Sequence, residues 1–229
     1  MDEYESVVAE RFVIRSDSIQ IDDRQFVRDV TLCYDSTIEI PPTIDPQKLQ
    51  TNLCSLKEIV KELAPSKSLS FLLDDLKQSS LVNIFENVLR ERLRKGTMMI
   101  ADGEFVQGVS IIKGLGFGLT PSGDDFIAGL LMTLNLEQII FKQDMKILID
   151  DIFTAAMNSN PLSMAYLWSA KEGRAFEKLK RMIASLFGSD PDDLVKRTAD
   201  LLTVGATSGA DIAVGLVIGL EGGLRTHGY

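Results

Sequence analysis

Histidine is almost missing from this 229-residue chain: the single one, His227, stands close to the C-terminus. A frayed chain end is a poor place for a general base, so Ser-His-Asp, Cys-His and multi-histidine metal schemes are set aside and acid–base work falls to Asp, Glu, Lys or Tyr. Cysteine is as scarce: Cys33 and Cys54 have no metal-ligand spacing, which leaves them as packing residues and makes a cysteine nucleophile an unsuitable reading. Basic charge is also short, with 24 Lys and Arg against 33 Asp and Glu and a formal charge of −9. That balance argues against a general nucleic-acid or anionic-membrane binder, since both need cationic surface to displace counterions. Long apolar runs are missing too. The longest, around Phe126 to Leu134 and Ile212 to Leu220, fall short of a bilayer span and read as core helices. The acidic start Met1-Asp2-Glu3-Tyr4-Glu5 has none of the features of a secretory signal, so a cytoplasmic protein with no membrane and no nucleic-acid partner is expected.

What the chain does have is one distinctive stretch, Gly114 to Leu130 (GLGFGLTPSGDDFIAGL). Glycines at alternate positions let the backbone approach a ligand, and Thr120-Pro121 reads as an N-cap followed by the proline favoured at the first helical position. A glycine loop feeding a helix start presents unbonded amides and the positive end of the helix dipole, the physical description of an anion site. Asp124 and Asp125 fall in the first turn of that helix. They suit the dipole, but they repel a bare phosphate unless a metal or a basic residue stands between; Mg²⁺ is the candidate if it is a metal, and no cofactor is fixed by the sequence. Lys113, just before the loop, is a candidate to neutralise an anion there.

Part of this pattern returns near the C-terminus. Ser122-Gly123-Asp124-Asp125 and Gly129-Leu130 align with Ser208-Gly209-Ala210-Asp211 and Gly215-Leu216. Two readings stand side by side: two helix starts facing one pocket, or capping residues and glycine-spaced faces that recur because two helices pack closely. On the first, Asp124, Asp125 and Asp211 are the catalytic candidates and the metal-ligand candidates. Gly116, Gly118, Thr120, Ser122, Gly123, Ser163, Thr207, Ser208 and Gly209 are the ligand-binding candidates.

In chain order, residues 11–40 alternate β-branched or aromatic residues with Asp and Ser, with strands expected at Phe12–Ile14, Ile19–Ile21, Val30–Tyr34 and Thr37–Ile40. Helical spacing follows over Asn52–Leu63, Ser68–Lys77 and Leu81–Arg94, with Gly96 as the stop. Over Thr97–Lys113, Asp102-Gly103 suggests a hairpin, yet Phe105, Val109 and Ile112 also fit a helix face, so a strand or hairpin is expected for the first part and a helix for the second. The basic run Arg90 to Lys95 reads as a solvated helix face, and Tyr166 and Trp168 as core or pocket wall. Helices are expected over Met145–Met157, from Pro161, and from Asp190-Pro191 to Val204, with a last one starting at Thr207. The fold class expected is α+β: a β-rich N-terminal part over residues 1–45, an antiparallel meander or small barrel, followed by a mainly helical part over residues 46–229.

The runs at 114–130 and 207–216 (TSGADIAVGL) resemble the signature of the AllH-type family, long described as a domain of unknown function. The resemblance extends to Ser163–Gly173 and more weakly to the N-terminus, and it departs from the family at Phe117, where proline is usual. It implies a subunit of oxamate carbamoyltransferase, which interconverts oxalurate plus phosphate with oxamate plus carbamoyl phosphate in purine catabolism. Its ligand would be a small anion such as phosphate, carbamoyl phosphate or oxamate, and its partners the other subunits of a carbamoyltransferase complex. The alternatives are a stand-alone metal-assisted hydrolase or transferase acting on another small anion, and a non-catalytic assembly subunit.

Overall fold

The computed structural model describes residues 11–15, 17–27, 34–74 and 84–228. The chain divides into two units, residues 1–35 and 36–229. In the first, β1 (Phe12–Ile14), β2 (Ser18–Ile21) and β3 (Arg24–Val27) form a small antiparallel sheet in sequential order. Its register places Ile19 opposite Phe26.

The second unit is helical: α1 (Pro46–Leu63), a 3-10 turn (Leu69–Leu73), α2 (Ile84–Ala101), α3 (Phe105–Ile112), α4 (Ser122–Phe141), α5 (Lys146–Ala156), α6 (Pro161–Lys171), α7 (Glu177–Leu186), α8 (Pro191–Leu202) and α9 (Ser208–Thr226). The α+β expectation is therefore overturned: the protein is mostly helical, its β structure among the described residues is confined to three short strands, and these form no barrel. The segment Thr37–Ile40 shows why. Thr37 pairs with Arg174 in an isolated bridge outside any strand, while Ile38 and Ile40 pack against the helical core. β-Branched residues suit any half-buried extended backbone, and here that surface is supplied by helices rather than by a neighbouring strand. The strand expected at Val30–Tyr34 falls largely outside the described residues, and Tyr34 itself is not in a strand.

Three helices start with the same chemistry. Asp45, Asn160 and Asp190 each accept backbone N–H groups of the first turn, and each is followed by proline at the first helical position. Two glycine readings change. Gly96 does not end α2, which runs on to Ala101. An added Cβ there would overlap Ile112 and the Gly108 carbonyl, so Gly96 lets α2 and α3 approach closely. Asp102-Gly103 is the turn between those two helices rather than a hairpin, with Gly103 at φ +88°. Arg90 and Arg94, four residues apart on α2, lie over the Phe71 ring at 4.2 and 5.9 Å. Cys54 and Trp168 are exposed instead of packed, Trp168 at 54%, and Tyr166 is exposed as well. Cys33 lies outside the described residues. His227 is not a loose end: its ring stacks on Phe141 at 3.9 Å.

The core is organised by α4 and α9, buried over most of their length. They cross at glycines. A Cβ on Gly129 would overlap the Ile212 carbonyl and press on the Leu216 N–H; one on Gly215 would overlap the Phe126 carbonyl and press on the Leu130 N–H. These two sets of contacts map onto each other when Gly129 is exchanged for Gly215.

Candidate functional site

The exchange extends beyond the crossing. Before α4, the Leu115 N–H donates to the Ile112 carbonyl and the Gly123 N–H to the Leu115 carbonyl; before α9, Val204 and Leu201, then Gly209 and Val204, make the same pair of bonds. Gly123 sits against the Ile112 carbonyl as Gly209 sits against that of Leu201. The units α3–loop–α4 and α8–loop–α9 are thus structural repeats related by an approximate two-fold axis through the crossing. The first loop is the longer: eight positions separate Leu115 from Gly123, and five separate Val204 from Gly209. Its extra length holds Gly116 and Gly118, at φ +123° and +105°. A Cβ on Gly116 would collide with the Ser122 backbone, so both the sign of φ and the close approach require glycine there.

The two Ser-Gly-x-Asp elements meet. Asp125 is 2% exposed, and its Oδ2 accepts from the Thr120 hydroxyl at 3.0 Å. Thr120 Oγ1 in turn lies 3.2 Å from Ser208 Oγ, which joins the start of α4 to the start of α9. Burial pushes the Asp125 carboxyl up to about 7; the Ser208 and Thr120 hydroxyls oppose this, and the negative charges of Asp211 and Asp124 add to it. Asp211 is fully buried. Its Oδ1 accepts from the Leu69 N–H at 2.6 Å, fixing the 3-10 turn, and burial raises it to about 6. Ser122 and Thr207 are near enough to favour its ionised form. Neither makes a hydrogen bond of normal geometry to Oδ2, which is buried and unpartnered.

Other residues have different duties from those expected. Both oxygens of Asp124 are taken, Oδ1 by the Gly114 N–H at 2.7 Å and Oδ2 by the Asn158 amide at 3.1 Å. It staples the glycine loop to the α5–α6 connection. Asn160 Nδ2 does the same by donating to the Leu119 carbonyl at 2.7 Å, while its Oδ1 caps α6. Lys113 points away from the loop and donates to the Ala155 and Met157 carbonyls at the end of α5. Helix α4 begins at Ser122 with Pro121 as its cap residue, so Thr120 is released from capping to bond Asp125. Ser163 is on α6, fully buried, with an unpartnered hydroxyl that bonds none of these carboxyls. The amides of Gly123, Asp124 and Asp125 are already committed to Leu115 and Pro121 carbonyls. Those of Gly116, Gly118 and Thr120 bond no acceptor among the described residues.

Among the described residues no group of three or more His, Cys, Asp or Glu could hold a metal ion. Each Asp124 oxygen already accepts a hydrogen bond, so within this cluster Asp125 and Asp211 are the carboxylates that would hold a Mg²⁺. Sequence reasoning missed Asn158 and Asn160 as loop anchors, although an Asn-x-Asn-Pro turn followed by a helix was the available signal. The double duty of Asn160 gives an expected outcome: Asn160→Ala loses the cap and the tie to Leu119 and lowers stability by about 1–3 kcal/mol in urea denaturation.

These features define a class, a helical protein with an internally repeated helix–loop–helix whose two helix starts build one buried acidic cluster. Residues 112–220, from the end of α3 into α9, match the family model described as oxamate carbamoyltransferase subunit AllH. No solved structure matches the chain. No helix among the described residues is long and apolar enough to cross a membrane.

Proposed function

We propose that the chain is a carbamoyltransferase subunit that binds a small amide-bearing anion at the paired starts of α4 and α9. The observation that carries this reading is the Asp125–Thr120–Ser208 chain of contacts linking two helix starts beside the unpartnered Asp211 oxygen. An anionic end suits the unbonded amides of Gly116, Gly118 and Thr120. An amide or ureido NH₂ suits the carboxyls. In the direction from oxalurate, an oxygen of hydrogen phosphate attacks the terminal carbamoyl carbon, the C–N bond breaks, and the departing oxamate nitrogen needs a proton. The attacking hydrogen phosphate loses one. A carboxyl held near neutrality can carry it from one atom to the other, and Asp125, pushed up to about 7, is matched to that task. The loop glycines, Thr120 and Ser208 bind and orient; Ser122, Gly123, Thr207 and Gly209 shape the helix starts.

The test is a thermal-shift series on the purified chain with carbamoyl phosphate, oxamate, oxalurate and phosphate. A ligand at 100 times its dissociation constant adds about 2.7 kcal/mol, so a rise of roughly 5–10 °C is expected with the amide-bearing anions. Asp125→Asn should abolish the rise while remaining folded. If the folded wild-type chain responds to none of the four anions, or Asp125→Asn responds as strongly as wild type, the site reading is wrong. The staples made by Asp124 and Asp211 are then the motif's whole purpose, as in an assembly subunit.

A further inference from the structure

A second place in the helical unit has the makings of a ligand site. Between the C-terminal halves of α4 and α9, the α2–α3 turn and the start of α5 lies a cavity of about 460 Å³. That volume is within the usual range for small-molecule sites. Phe105, Leu134, Met145 and Ile218 supply apolar wall, and Glu137 is the buried acid among the lining residues. Glu137 is 4% exposed and has no hydrogen-bond or ion-pair partner among the described residues. A buried carboxyl without a partner costs stability and does nothing for the fold. The backbone is shaped to accommodate it: a Cβ on Gly223 would overlap the Glu137 carboxyl, whereas one on Gly222, one position back, would point into open space.

We propose that this cavity binds a small organic cation, a primary ammonium or guanidinium on a short apolar body, with Glu137 as its counter-ion. The cation supplies the donors and the charge that the buried carboxyl lacks. The apolar walls take the body. The site shares no residue with the Asp125–Asp211 cluster and does not depend on what that cluster does.

Affinity should depend on pH. Burial lifts Glu137 to about 7, so the free site is mostly protonated at pH 6 and mostly ionised at pH 8. Binding of a cation should therefore strengthen about tenfold between these values. The other charged or titratable groups facing the cavity are Asp102 from the α2–α3 turn and Arg225 and His227 from α9. Histidine as a residue type is the usual source of pH dependence in this interval. Replacing His227 with Phe, which keeps the stack on Phe141, separates any such effect from that of Glu137.

Calorimetric titration of the full chain with n-pentylamine, and with 1-pentanol as the uncharged match, decides the matter. Saturable binding of the amine is expected, at least tenfold tighter than the alcohol, with the pH slope kept in His227→Phe and lost in Glu137→Gln. Gly222→Leu fills the cavity from an open helical position and should abolish binding while leaving the melting temperature at or above that of wild type. Asp125→Asn should leave amine affinity unchanged, which separates this site from the anion site. Absence of amine binding overturns the proposal. So does equal binding of alcohol and amine, or amine affinity that survives both Glu137→Gln and Gly222→Leu.

Discussion

Gly215→Ala should destabilise the protein by about 3 kcal/mol or more, lowering its melting temperature by roughly 6–12 °C. The new methyl group would overlap the Phe126 carbonyl oxygen and press on the Leu130 N–H, both backbone atoms of α4. Backbone in a buried helix cannot yield as a side chain can, so the two helices must separate, and the packing of both is lost. The direction is informative because alanine is intrinsically the better helix former by about 1 kcal/mol. Gly222→Ala, on the same helix but facing open space, provides the control: it should gain about 0.5–1 kcal/mol. Gly129→Ala should behave like Gly215→Ala, because the crossing is reciprocal. Thermal denaturation followed by far-UV circular dichroism checks all three. A Gly215→Ala protein as stable as wild type would mean that the crossing is looser than described. The functional consequence is direct, since Asp125 and Asp211 each stand one helical turn before a crossing glycine, and the crossing sets how close the two acids come.

The second large effect is on pH. Asp125, Asp211 and Glu137 are raised to about 7, 6 and 7, all chiefly by burial. In the unfolded chain carboxylates titrate near 4. Between about pH 4 and pH 7 the folded protein therefore binds more protons than the unfolded one. The slope of unfolding free energy with pH is negative wherever that holds. The contribution of these groups is fully present below about pH 4 and is lost as pH rises through 6 to 7. The protein should be more stable at pH 5 than at pH 8, by on the order of a few kcal/mol, since each tenfold gain in a carboxyl's proton affinity on folding is worth about 1.4 kcal/mol. Urea denaturation at the two pH values measures it. Asp125→Asn should narrow the gap by at least about 1 kcal/mol, and Glu137→Gln should do likewise from the other end of the α4–α9 pair. A stability that rises from pH 5 to pH 8 would show that these carboxyls are solvated or paired in solution.

Much of the site was legible in the sequence because its parts are local. Ser-Gly-x-Asp followed by Gly-Leu, recurring once, marked both helix starts. The Asp-Pro and Asn-Pro pairs at 190 and 160 marked two more helices, since capping and the fixed φ of proline act within a few residues. Other elements needed partners distant in sequence. Gly96 has the look of a helix stop, and only the approach of Gly108 makes it a packing glycine. Lys113 beside a glycine loop suggests an anion ligand, yet the carbonyls that hold it are those of Ala155 and Met157. Thr37–Ile40 has strand composition but helices for neighbours.

By itself the sequence determined the helical pattern of the larger unit, the two repeated motifs and their match to the AllH family model, because periodicity, caps and signature residues are properties of short stretches of chain. Only the tertiary structure decided what those residues do: that Asp124 is a staple while Asp125 and Asp211 form the pair, and that Glu137 sits alone in a cavity. A carboxyl's role depends on which donors and charges surround it and how much water is excluded, and these are fixed when α9 crosses α4, more than eighty residues along the chain.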